Sequence, residues 1–77
     1  MLDVRKTEAE ALRSLSARER EVLVLVVHGR TSKEIARIVG VKPTSIDTYR
    51  SRIMEKLEVH DLCALVRFAI RHGLVQP

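Results

Sequence analysis

Four short polar residues, Thr44, Asp47, Thr48 and Ser51, fall on one face when residues 43–57 are wound as a helix at 100° per residue. The opposite face carries Ile46, Tyr49, Ile53 and Leu57 at i, i+3, i+7 and i+11. Hydroxyls and a carboxylate on such a face suit hydrogen bonding to base edges in a major groove about 12 Å wide. Thr44, Asp47, Thr48 and Ser51 are therefore the candidate base-reading residues, with Arg52 and Glu55 at their flanks. Arg52 and Lys56 follow one another at i, i+4, where a cation meets the phosphate ridge beside a groove. Arg50 projects toward the inner side and has two readings: contact with DNA, or partial burial with its guanidinium paired to a carboxylate such as Glu19.

No competing chemistry is written elsewhere in the chain. His28, His60, His72 and the lone Cys63 lie at no recognisable catalytic spacing, and there is no glycine-rich phosphate loop or paired-carboxylate site. One cysteine makes neither an internal disulfide nor a cysteine-based zinc site, and fits a reducing cytosol. The expectation is a non-enzyme with no cofactor and no metal.

Composition bounds the rest. Seventy-seven residues make one domain. Fourteen basic against 10 acidic residues leave a net charge of +4, which suits an anionic partner. With one Phe, one Tyr and no Trp, the core must be Leu, Val and Ile, and few rings remain for stacking on single-stranded RNA. The longest apolar run, residues 22–27, is far too short for a bilayer. Asp3, Arg5, Lys6, Glu8 and Glu10 interrupt any signal peptide, so the expected location is the cytoplasm and no membrane is a partner.

The elements that must position the polar face are marked by their ends. Ser16 and Glu19 form a capping box opening a helix to about His28, with Val22, Leu23, Val26 and Val27 inward and Leu25 widening the apolar face. Gly29 ends it. Thr31 and Glu34 form a second box, opening a helix with Ile35 and Val39 on one stripe and the small Ala36 where a second helix must cross. Lys33, at that helix start, is a candidate phosphate contact, whereas Arg37 lies on the outer face. Gly40 allows a left-handed cap, Val41 plugs the turn, and Pro43 stands where its missing N–H has no partner to lose. A reversal this short is a helix-turn-helix, with residues 43–57 as the recognition helix. The rival is a protein-interaction module in which the same helix grips a partner helix or a polymerase subunit. Such a groove would want an apolar outer stripe, and this one is polar.

Asp61 caps a last helix through His72, closed by Gly73 and Leu74. Leu62, Leu65, Val66, Ala69 and Ile70 are expected to face the core, with Cys63, Arg67 and Phe68 on or near the outer side. The surface around Cys63, Arg67 and Arg71 is the candidate contact with a second copy on DNA. Its low apolar content implies a monomer or weak dimer without DNA. Residues 1–14, with Leu2, Val4, Ala9, Ala11 and Leu12, could form a helical arm but show no firm cap, and read as a linker or N-terminal arm. The expected architecture is all-α, a compact four-helix domain over residues 15–77.

With those residues placed, the chain resembles the LuxR-type, or GerE-type, helix-turn-helix domain of the FixJ/NarL group of bacterial regulators. The likeness rests on Leu15-Ser-Ala-Arg-Glu-Arg-Glu-Val-Leu23, Gly29, Ser32-Lys-Glu-Ile-Ala36, Ser45-Ile-Asp-Thr-Tyr-Arg50, Ile53-Met-Glu-Lys-Leu57, residues 64–70, and Gly73 with Leu74. It implies the output domain of a transcription regulator, expected here to be a response regulator of a two-component system, that binds double-stranded DNA as a dimer through its last helix. RNA polymerase is a further partner for such a role. The resemblance puts Asp47, Thr48 and Ser51 at base-contact places and Lys33, Ser45 and Lys56 at phosphate-contact places. Two residues depart from the pattern. Asp47 stands where a basic residue is frequent, so it either accepts a hydrogen bond from a cytosine amino group or holds Arg50 or Ser51 in place. Lys42 replaces a capping Ser or Thr, which removes about 1 kcal/mol of cap but adds a cation near the phosphates.

Overall fold

The computed structural model describes residues 7–76, which are all-helical. Five helices follow in order: α1 (Glu8–Arg13), α2 (Ala17–Val27), α3 (Ser32–Val39), α4 (Pro43–Leu57) and α5 (Leu62–Arg71). Helices α2 to α5 are the four that periodicity marks. Ser16 Oγ accepts the Glu19 N–H at 3.1 Å, and Thr31 Oγ1 accepts the Glu34 N–H at 3.1 Å. Each glutamate returns to its cap N–H at 2.8 Å, which completes both boxes. Asp61 Oδ1 accepts the Ala64 N–H at 2.7 Å, while Lys42 leaves α4 without a side-chain cap.

Helix α1 corrects the expectation of four helices preceded by an uncapped arm. Thr7 Oγ1 accepts the Glu10 N–H at 3.2 Å and the Glu10 carboxylate accepts the Thr7 N–H at 3.3 Å, a third box at the same spacing as the other two. Arg20 Nη2 donates to the Leu12 carbonyl at 3.1 Å, and Ser14 Oγ donates to the Ala11 carbonyl at 2.6 Å, so the far end is closed as well. Six residues are too few to hold a helix alone in water. Ala11 is buried and α1 packs on α4, so tertiary contact supplies the difference. Leu2 and Val4 lie outside the described residues.

Helices α2 and α4 are the hub. Helix α2 packs on α3, α4 and α5, and α4 packs on α1, α2 and α3. Val22, Leu23, Ile35, Ile46, Ile53 and Phe68 are fully buried in the core they enclose. The turn between α3 and α4 is fixed from both sides. Gly40 takes φ 77°, and the N–H groups of Gly40 and Val41 both reach the Ala36 carbonyl, at 2.8 and 3.0 Å. From α2, Arg18 Nη1 donates to the Val39 carbonyl at 2.7 Å, satisfying another acceptor that the end of α3 leaves without an intrahelical donor. Helix α4 ends on Glu58 at φ 56°, a left-handed cap built without glycine.

Helix α5 is rotated from the expected register. Its inward arc is Leu65, Phe68 and Ala69. Phe68, expected near the outer side, is 1% exposed, and its ring stacks on His72 at 4.5 Å between centroids. Leu62, expected in the core, is 49% exposed, and Val66 and Ile70 are only partly buried. An aromatic ring buries more apolar area than a leucine, so centring the helix on Phe68 moves Leu62 to the margin.

Candidate nucleic-acid interface

Helix α4 presents two faces. Ile46, Ile53 and Leu57 are buried, Tyr49 is half-buried, and Thr44, Asp47, Thr48 and Ser51 are all exposed. The outer four therefore share one open surface on a helix whose other side is locked into the core. Asp47 forms no hydrogen bond or ion pair with any described residue, so it holds neither Arg50 nor Ser51. Of the candidate phosphate contacts, Lys33, Lys42 and Arg52 are exposed and Ser45 is partly buried. None of the three cations is paired with a described carboxylate.

Lys56, the other candidate phosphate contact, is exposed but paired within the chain. Its ammonium donates to Glu19 Oε1 at 2.7 Å and approaches the Ser14 carbonyl at 3.4 Å. Glu19 is 4% exposed, and the same oxygen accepts the Ser16 N–H at 2.8 Å. One oxygen thus joins the start of α2 to the last turn of α4. The hydrogen bond from Lys56, followed by that from the Ser16 backbone, holds the Glu19 carboxyl below its ordinary range against the opposing effect of burial. Lys56 orients α4, and Glu19 is the residue that sequence reasoning placed in a cap without its second partner. Arg50, offered that carboxylate from sequence, is not paired with it.

An open depression runs beside the polar face, lined by Val41, Ser45, Thr48, Tyr49 and Arg52. At the far side of the molecule Glu8 binds Arg71 through two hydrogen bonds, Nε to Oε1 at 3.2 Å and Nη2 to Oε2 at 2.8 Å, and His72 Nε2 lies 2.9 Å from Oε1. Hydrogen bonding to Arg71, then to His72, lowers the Glu8 carboxyl pKa. Arg71, expected in the self-association surface, is thereby paired within the chain while its side chain stays about half exposed. Cys63 and Arg67 are exposed, and Leu62, Val66 and Ile70 add apolar area to the outer side of α5 that the sequence did not lead one to expect. Among the described residues no group of three or more His, Cys, Asp or Glu could hold a metal ion, and no helix is long and apolar enough to cross a membrane.

Residues 13–69 match the family described as bacterial regulatory proteins, luxR family. The chain belongs to that family. It is 45% identical over 71 residues to a Pseudomonas aeruginosa chain assigned to transcriptional regulation, an overlap of 92% of this chain and 34% of that one. It is 39% identical over 67 residues to the transcriptional regulatory protein FixJ of Bradyrhizobium diazoefficiens, covering 87% of this chain and 33% of the relative. The crystal structure of full-length FixJ from B. japonicum superposes with a TM-score of 0.81 at 38% identity, over 88% of this chain and 34% of that one. The chain thus spans about a third of the length of the curated relatives it matches. Its family's fold is the one described above.

Proposed function

We propose that this chain is the sequence-specific DNA-binding output domain of a bacterial transcriptional regulator acting in the cytoplasm, with α4 in the major groove. The observation that carries this reading is the exposed face of Thr44, Asp47, Thr48 and Ser51 on a helix whose Ile46, Ile53 and Leu57 are buried in the core. A rigid helix with hydrogen-bonding side chains outward can hold base edges in register. Membership of the family and likeness to FixJ support the same role. Lys33, Lys42, Ser45 and Arg52 contact phosphates, and residues 15–77 are the DNA-binding unit, braced by α1. The relatives' greater length fits a regulator with a further module.

The test is binding to random-sequence duplex at two salt concentrations. Each phosphate contact by a cation contributes roughly −0.9 to the slope of log affinity against log salt. Arg52→Ala should weaken binding to all sequences about equally and flatten the slope by about one. A salt-independent affinity in the native protein would refute the DNA reading itself.

Two copies bind together on DNA, through the outer side of α5. Leu62, Cys63, Val66, Arg67 and Ile70 supply a self-complementary strip for a two-fold contact. Two recognition helices then require half-sites about 10 base pairs apart or at a multiple of that. Cooperative binding should appear at those spacings and vanish in Cys63→Asp, with single half-site affinity unchanged. Equal affinity per half-site at every spacing would sink the dimer.

A further inference from the structure

Tyr49 has a place that its sequence position conceals. Spacing puts it inward with Ile46 and Ile53, yet it is half-buried and borders the depression together with Val41, Ser45, Thr48 and Arg52. Positions 45, 48, 49 and 52 are i, i+3, i+4 and i+7, so they form one stripe along α4. This stripe occupies the flank between the buried side and the exposed polar face, and Val41 of the turn closes one end. Its chemistry is uniform: three hydroxyls and one guanidinium, with no carboxylate in the lining. Lys56 continues the stripe at i+4 from Arg52, but Glu19 draws its ammonium away. Arg52 is therefore the one cation of the depression, and hydroxyl donors surround it.

We propose that this depression seats one phosphodiester group of the duplex, with Arg52 supplying charge and the Tyr49 and Ser45 hydroxyls donating hydrogen bonds. The inference rests on the DNA reading above and deepens it, adding Tyr49 as a phosphate-binding residue. A flank about 100° around the helix from the base-reading face is where the groove wall runs when that face points at the bases. Hydroxyls that can turn their O–H outward and a guanidinium, with no carboxylate to repel it, suit an anion whose oxygens accept only. A single exposed cation is too little to hold free phosphate firmly, whereas a duplex anchored through the neighbouring face presents its phosphate at high local concentration.

The test uses the native protein, Tyr49→Phe, Arg52→Ala and the double variant on a duplex selected by the native protein. Thermal melting of each variant is measured first. Tyr49→Phe keeps the ring and should melt with the native protein. It should lose about 3–10-fold in affinity on every sequence, with an unchanged salt slope because no charge is removed. Arg52→Ala should lose more and flatten the slope. Replacing each phosphate in turn by a neutral methylphosphonate should reveal one position at which the deficits of both variants disappear together. Native binding with an unaltered Tyr49→Phe affinity, or no such shared position, would overturn the seat while leaving the DNA reading intact. Displacement of the duplex by millimolar inorganic phosphate at constant ionic strength would make it a small-anion site instead. Failure of the native protein to bind any duplex would remove both.

Discussion

Glu19→Ala should lower the unfolding free energy by about 2–3 kcal/mol, from a lost cap, a lost ion pair and the removed methylenes. In a domain of this size that is a fall in melting temperature of roughly 10–20 °C. The size of the effect follows from one oxygen having two donors on two helices, Ser16 N–H at 2.8 Å and Lys56 Nζ at 2.7 Å. Glu19→Gln separates them. Its amide oxygen still caps α2, so only the charge is lost, and the cost should be about 1 kcal/mol. The same pair sets a pH dependence. A carboxyl whose folded pKa lies below its unfolded value of 4.5 stabilises the fold fully above pH 4.5, and that contribution is lost as pH falls through the folded value. Glu8, held by Arg71, and Glu34, held by the Thr31 backbone, shift in the same direction, so Glu19→Gln should soften acid unfolding without abolishing it. Melting curves between pH 3 and 7 decide the matter. Identical acid profiles for the native protein and Glu19→Gln would show that the pair contributes nothing.

Asp47→Ala should change which sites the protein selects from a random pool, by roughly 1–3 kcal/mol at one base pair. Asp47 is exposed on the polar face and bound to no described residue, so with α4 in the groove as proposed its carboxylate would keep its hydrogen-bonding capacity. An acceptor among phosphates is repelled unless it meets a donor, and the cytosine amino group is a donor in the major groove. On the proposed binding mode the expected outcome is a preference for cytosine at one base pair and a penalty for alternatives that present only acceptors there. A selected consensus identical to that of the native protein, with affinity higher on all sites, would reduce Asp47 to a repulsive charge.

The helix-turn-helix was legible because its signals are local. Ser16 with Glu19, Thr31 with Glu34, Gly40, Pro43 and Asp61 each act within a few residues of themselves, and each marks the end it was expected to mark. Thr7 with Glu10 carries the same signal, masked by the weak apolar periodicity of the segment around it. The partners of charged side chains were not legible. Arg18 reaches Val39, 21 residues on, and Lys56 reaches Glu19, 37 residues back, and no spacing rule connects such pairs. The rotation of α5 was hidden for a related reason. Leu62 and Phe68 are both apolar, and which of them turns inward depends on the surface of α2 on which the helix lies.

The contact of Glu8 with Arg71 and His72 has a consequence for how the domain can be wired. It pins the first turn of α1 to the end of α5, so the two ends of the described helical unit adjoin. A domain with adjoining ends can be spliced into a longer chain as an insert without stretching either junction. Anything attached at one end also shares its space with whatever is attached at the other. Bulk added after Gly73 would crowd a neighbour joined ahead of Thr7, although 65 residues separate the two along the chain.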